Sequence, residues 1–494
     1  MVKYGIVVVT ALFYVSAVLH FDYTPDASYV SCRVASQVAA GDGFQFSPGQ
    51  PSAGTSGPVW TLILAAGVWG GLDGPVVAKT FDLVFSCLAL FAVYFLASLI
   101  LRDKIAAFFA ALLFSVDAWV LRASASGLGF SLALLLVAVT LHYGFRREYA
   151  LASFVNGFLV LTSPLEGIVL FALTMVDGVA YWRRTQALPA PLVRSCALFA
   201  IPILPWVAYA VIHSIPLAGD PRIVTFAGTP FSGPAGMGLG SELLWLAASG
   251  GVMLTVLAAG HGMAAIRSDW RLMAPSSFPL LWAAAAVGLT LAVNPQGMVR
   301  AWILVAPVVM IYGLLGLYYL TVFVIGVGPR GTFALLAVVV LSIGANQAVY
   351  RMKVVPEMNR TVVEMQEQVR PMAYWVRSRI APGETLVVPF VGMITWITGV
   401  RVVGSPMLWR ADQESPGETG GNSVERLREM LASGFAAAVV DRSESQTRLA
   451  APGSVPVRTW HGAQGALYTL YADSARRSSM LEAGGGTESA SRQR

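Results

Sequence analysis

Charged residues are scarce in this chain. Asp, Glu, Lys and Arg make up 12% of its 494 residues, against about 25% in ordinary soluble domains. One large core does not account for the shortfall, because a soluble surface would still need its charges. Cysteine is rarer still, at 3. Cys87 and Cys196 fall inside apolar stretches, so the chain offers neither a disulfide framework nor a zinc site. The formal net charge of +6 is scattered between apolar segments rather than clustered, which argues against a nucleic-acid partner. No internal repeat of fixed period is visible.

Apolar runs fill the space that charge leaves. The chain is 56% hydrophobic with a mean hydropathy of +0.65. Runs of about 20 apolar residues, enough to cross roughly 30 Å of hydrocarbon, recur through residue 347. Eleven spans are expected: 4–20, 77–101, 104–121, 125–144, 149–163, 165–181, 193–213, 241–264, 277–293, 302–326 and 331–347. The first is read as a retained anchor, since no small-residue cleavage site follows it. The stretch 58–72 is short and glycine-rich, and is expected to be re-entrant or juxtamembrane. With the N-terminus cytoplasmic and 58–72 left outside, eleven of the sixteen Lys and Arg before 347 lie inside and five lie outside. Counting 58–72 as a full span inverts that split, against the positive-inside rule. The fold class is therefore a polytopic α-helical membrane protein with residues 1–350 in the membrane part.

Residues 351–475 change character. PGETLVVPF (382–390), GMITWITG (392–399), VRVVGS (400–405), a capped helix over 423–434, FAAAVVD (435–441) and two closing strands alternate strand and helix. They predict a small C-terminal α/β domain, outside the membrane by the topology above. The tail, 476–494, is rich in Ser, Gly and Arg and reads as disordered.

The first external loop, 21–76, is much longer than a connector requires, and long loops in compact proteins are usually functional. It opens with Asp22 and Asp26. Ser28 to Ala40 reads as an amphipathic helix at the membrane surface, stopped by Gly41.

Here the residues resemble a family. The pattern runs from Asp26 through Tyr29-Val30, Arg33 and Gly41-x-Gly43 to Phe46-Ser47-Pro48-Gly49, then Ser56-Gly57-Pro58-Val59-Trp60. It resembles the first external loop of the bacterial GT-C glycosyltransferases, polytopic enzymes that use polyprenyl-phosphate sugars. The mycobacterial arabinofuranosyltransferases are similar; Pro25-Asp26 also looks like the aminoarabinose transferases and protein O-mannosyltransferases. Ser126-Gly127-Leu128, the turn Thr162-Ser163-Pro164-Leu165-Glu166-Gly167, Arg300 to Pro307 and the stretch 382–406 resemble further family motifs. The family often carries acids where Ala27, Ala53 and Gly129 stand here.

The resemblance implies a glycosyltransferase of the bacterial plasma membrane. Its partners would be a polyprenyl-phosphate sugar donor, a glycan, lipid or protein acceptor, and the surrounding lipid. No cofactor and no metal site are expected. Asp26 would be the base that takes the acceptor's proton. Cations must hold the departing phosphate, and Arg300, Arg33, Arg122 and Lys79 are the candidates. Asp117, Glu166 and Tyr29 would lie beside the acceptor. Plainer readings stand next to these. Asp26 would suit the cap of the helix beginning near Ser28. Asp117 and Arg122 would suit a local ion pair, as would Lys79 and Asp82 three residues apart. Arg300 would suit an interfacial anchor. Two other functions are compatible with the composition: a transporter or flippase for a lipid-linked or small polar solute, and a catalytically inactive envelope scaffold, which the missing acids favour.

Overall fold

The computed structural model describes residues 2–47, 49–185, 190–215, 239–267, 278–293, 297–325, 328–381, 384–388, 391–404, 438–443, 454–461, 467–473 and 480. The chain opens with helix α1 (Val2–Val18), followed by the lateral helix α2 (Asp26–Ala40). Gly41 ends α2 in the left-handed region at φ 90°, its N–H returned to Gln37 and Val38. The expected amphipathic helix is thus present, beginning two residues early. A short antiparallel pair, β1 (Gln45–Ser47) and β2 (Gln50–Pro51), follows. The stretch expected to be re-entrant or juxtamembrane forms α3 (Gly57–Trp69), a short apolar helix.

The main bundle comprises α4 (Gly74–Leu101), α5 (Lys104–Ser115), α6 (Ala118–Ser124), α7 (Phe130–Phe145), α8 (Tyr149–Thr162), α9 (Pro164–Thr185), α10 (Ala190–Ile212), α11 (Leu239–Arg267), α12 (Phe278–Val293) and α13 (Met298–Leu320). A final helix, α14 (Pro329–Arg377), runs through π-helical turns at Tyr350–Val354 and Glu364–Val369. Among the described residues six helices are long and apolar enough to cross a membrane, seven if α5 and α6 count as one. The others are apolar but shorter. The expected span 104–121 is not straight: α5 and α6 meet at 65°. Asp117 causes the break, its carboxylate accepting the Trp119 and Val120 N–H groups and so starting a new helix.

Helix association within lipid depends on close approach rather than on expelling water. The pair α11 and α13 illustrates this. A Cβ on Gly260 would overlap the Gly316 carbonyl, and one on Gly313 would sit 2.8 Å from Met253 Sδ. Across the bundle, Trp119 and Trp282 are buried among Ala, Val and Leu side chains.

At 49 residues α14 is far longer than one crossing needs. At 1.5 Å per residue it reaches roughly 70 Å, so it continues well past the bundle. The change of character expected at 351 falls inside this unbroken helix. Beyond it lie β3 (Thr385–Val388), α15 (Val391–Thr398), β4 (Arg401–Gly404), β5 (Ala438–Ser443), β6 (Ser454–His461) and β7 (Leu467–Asp473). They form one mixed sheet ordered β4-β3-β5-β7-β6, with β3 parallel to β4 and β5 and the remaining neighbours antiparallel. The helix expected over 423–434, the tail 476–494 apart from residue 480, Arg222 and Arg271 lie outside the described residues.

A second core joins distant parts of the chain. Tyr29, Val30 and Val34 of α2 pack with Phe44 and Phe46, with Met372 and Val376 near the end of α14, with Leu386 and Val388 of β3, and with Met393 and Ile394 of α15. The first loop and the sheet region therefore share an interior.

Candidate functional site

The small residues of the first loop explain how it is seated. Ser31 and Thr55 hydroxyls are 2.6 Å apart, and Thr55 also donates to the Ala27 carbonyl at 3.1 Å. Ser56 Oγ donates to the Leu128 carbonyl, and Ser28 Oγ to the Ser126 carbonyl at 2.6 Å. Gly57, at φ 81°, lies so close to the Leu161 carbonyl that any Cβ would overlap it. Glycine is required there both by the backbone and by the approach. The loop thus bridges the turn 125–129 and the end of α8.

That turn is organised by a carboxylate that the sequence had paired with Lys79. Asp82, fully buried in α4, does not pair with Lys79. Its Oδ2 accepts the Leu128 and Gly129 N–H groups at 3.1 and 3.3 Å, and its Oδ1 accepts the Ser131 N–H at 3.2 Å. Burying a carboxylate requires such a set of partners. The available signal was an acid inside an apolar run together with a Ser-Gly-Leu-Gly turn. Gly129 also rules out the family's acid at its position: a Cβ would meet the Trp60 ring at 2.6 Å, at φ 76°. Ala27 and Ala53 are buried at the other two such positions. The side chains at 27, 53 and 129 are therefore not suited to holding a divalent ion.

Arg300, in the first turn of α13, reaches the Thr162-Ser163-Pro164 turn. Its Nη2 donates to Ser163 Oγ at 2.7 Å and to the Thr162 carbonyl at 3.3 Å, and the guanidinium stands 5.6 Å from the centre of the Phe130 ring. Among the described residues its buried Nε has no partner. Glu166 lies in the first turn of α9, 5% exposed. Its backbone carbonyl accepts the Trp282 indole N–H at 3.1 Å.

Asp26 is 5% exposed and engages a different helix from the one it begins. Pro25 is the N-cap of α2 and Asp26 gives α2 no side-chain cap. Instead Asp26 Oδ2 accepts the Gly392 N–H at 2.9 Å and Oδ1 accepts the Met393 N–H at 2.8 Å, at the start of α15. Burial pushes this carboxyl up to about 6, against the opposing effect of those N–H groups. A Cβ on Gly392 would overlap the Asp26 carbonyl oxygen. Burial likewise pushes the Tyr29 phenol up to about 12.

The remaining cations are committed within the protein. Lys79 Nζ donates to the Phe21 carbonyl and lies over the Phe21 ring. Arg122 pairs with Glu357 of α14 at 2.8 Å and donates from Nε to the Tyr23 hydroxyl at 3.3 Å. Asp117, besides its capping role, accepts the Trp302 indole N–H at 3.4 Å. The expected pair Asp117–Arg122 is not formed. Arg33 donates from Nε to the Phe46 carbonyl at 3.3 Å.

Segments spread over the whole chain thus meet at one end of the bundle: the first loop, the turns at 125–129 and 162–167, Arg300 and the start of α15. Neither protein-family models nor curated sequences yield a match to this chain. Its fold is matched among solved structures. ArnT from Cupriavidus metallidurans in the apo state aligns over 95% of this chain and 98% of that one, with TM-score 0.55 and 13% identity. The same protein bound to undecaprenyl phosphate aligns over the same shares with TM-score 0.56. An oligosaccharyltransferase from Archaeoglobus fulgidus aligns over 89% and 70%, with TM-score 0.48 and 14% identity. The agreement with ArnT runs through nearly the full length of both chains, and the fold of this membrane protein is that of ArnT.

Proposed function

We propose that this protein is an inverting glycosyltransferase of the bacterial plasma membrane. It moves a sugar from a polyprenyl-phosphate donor to a glycan, lipid or protein acceptor on the outer face. The observation that carries this reading is Arg300. Its Nη2 is fixed on Ser163, while Nε and Nη1 make no hydrogen bond among the described residues. An arginine held by one nitrogen and free at two suits the two-point grip of a phosphate. The ArnT structure with the same fold was solved with undecaprenyl phosphate bound, which supports a lipid phosphate as the ligand.

In the reaction, an acceptor hydroxyl oxygen attacks the anomeric carbon while the bond from that carbon to the phosphate oxygen breaks. The phosphate leaves with the electron pair, and Arg300 stabilises its charge. Asp26 takes the acceptor's proton. A single displacement inverts the anomeric centre. Lys79, Arg33 and Arg122, each already donating to the protein, keep the first loop and the 118–124 helix in place around that centre. Asp117 and Tyr29 act in the same supporting way. The N-terminus is cytoplasmic and the sheet region extracytoplasmic, where it shapes the acceptor side.

An inactive scaffold is the second reading, and one observation favours it: both Asp26 oxygens are already occupied by the α15 backbone. The two separate on one comparison. Asp26→Asn keeps the size of the side chain, and in equal amounts of folded membrane protein it should lose about 10²–10⁴-fold in transfer rate, the usual worth of general-base catalysis. Transfer at the wild-type rate would remove Asp26 as the base.

A further inference from the structure

Glu166 stands three residues after the Ser163 that holds Arg300, and among the described residues no partner is seen for its carboxylate. It is 5% exposed, and among the described residues its carboxylate makes no hydrogen bond or ion pair. The oxygens are also not sealed in, since they are absent from the buried, unpartnered polar atoms, among which Arg300 Nε does appear. Glu166 follows Ser163 by three residues, and Ser163 Oγ holds Arg300. The obvious ion pair is nevertheless not made, the two charges standing more than 4 Å apart. An accessible carboxylate in a largely buried residue, with no donor from the protein, is open to a hydrogen donor from outside it.

We infer that Glu166 is the specificity-determining residue for the sugar of the donor, accepting hydrogen bonds from a ring hydroxyl or from an ammonium substituent. This rests on the reading of Arg300 as the phosphate holder. Ser163, which holds Arg300, precedes Glu166 by three residues, so a sugar attached to a phosphate at Arg300 would sit beside the helix turn that carries Glu166. The chemistry required is a polar hydrogen donor on the sugar; a vicinal diol and an amino group both provide it. Asn156, whose buried Oδ1 lacks a partner while its Nδ2 donates to the Gly167 carbonyl at 2.9 Å, supports the same turn from α8.

The test compares equilibrium binding of bare undecaprenyl phosphate with binding of undecaprenyl phosphate carrying a pentose, a hexose or the amino counterpart of each. Wild type and Glu166→Gln are measured side by side. In wild type at least one sugar should strengthen binding over bare undecaprenyl phosphate. Glu166→Gln should bind the bare lipid as wild type does, which also reports correct folding, and should lose about 10- to 100-fold of the sugar's gain, the worth of a hydrogen bond to a charged group. Loss confined to the amino sugars identifies an ammonium as the partner; equal loss for the neutral sugars identifies a hydroxyl. Either result supports the role. A gain that survives in Glu166→Gln, or no gain from any sugar in wild type, overturns it. Failure of wild type to bind even the bare lipid would instead strike at the glycosyltransferase reading.

Discussion

At the residue scale, the acids in the chain's apolar half have separated into distinct tasks. Asp82 gathers three backbone N–H groups and fixes the turn at 128–131, Asp117 starts α6, and Asp26 receives the N-terminus of α15. The sequence marked all three but assigned them local partners. Local spacing could not reveal that the Asp26 partners lie more than 360 residues away. Because burial holds the Asp26 carboxyl at about 6, and the ionised form is the base, transfer should rise with pH through about 6 and then level off. The acid limb should vanish in Asp26→Asn; an unchanged limb would assign it to another group. Stability moves the opposite way. The folded value lies above the ordinary carboxylate value, so the stabilising contribution is complete at low pH and is lost as pH rises through about 6.

At the element scale, contact between α2 and α15 joins the first loop to the sheet region. Tyr29, Val30 and Val34 face Met393 and Ile394 across this contact, and Gly392 permits it. Gly392→Ala places a methyl group against the Asp26 carbonyl, and the backbone of one helix must shift. The expected cost is about 1–3 kcal/mol, as for overpacking elsewhere. Limited proteolysis should then cut the 384–404 region faster than in wild type. Unchanged cleavage would mean that α15 is not held through this contact. The elements themselves were largely legible, since apolar runs and capping residues gave most helices within a few residues. Two features were not. The 65° bend between α5 and α6 hides within a continuous apolar run, where only the capping preference of Asp117 marks it. The unbroken course of α14 hides because its residues turn polar where it leaves the bundle, although helix and hydrogen bonding continue.

At the scale of the whole molecule, fold and site were legible to different degrees. The resemblance of scattered motifs pointed to the GT-C fold, and the match to ArnT over 95% of the chain agrees. What the sequence could not supply was the convergence: which nitrogen of Arg300 is tied, which acid lacks a partner and which side chains close the turn at 129 are facts of packing between distant segments. Topology remains an expectation from the charge pattern, eleven cationic residues against five. A reporter active only in the cytoplasm, fused after residue 475, should be silent, and one active only outside should function; the reverse would overturn the orientation. The proposed transfer depends on a lipid phosphate held by Arg300. The measurement that tests it most directly is equilibrium binding of undecaprenyl phosphate to the purified protein. Wild type should bind, Arg300→Ala should lose at least about 10-fold, the worth of a charge-assisted hydrogen bond, and Arg300→Lys should recover only part of that loss. Equal affinity in all three proteins would contradict it.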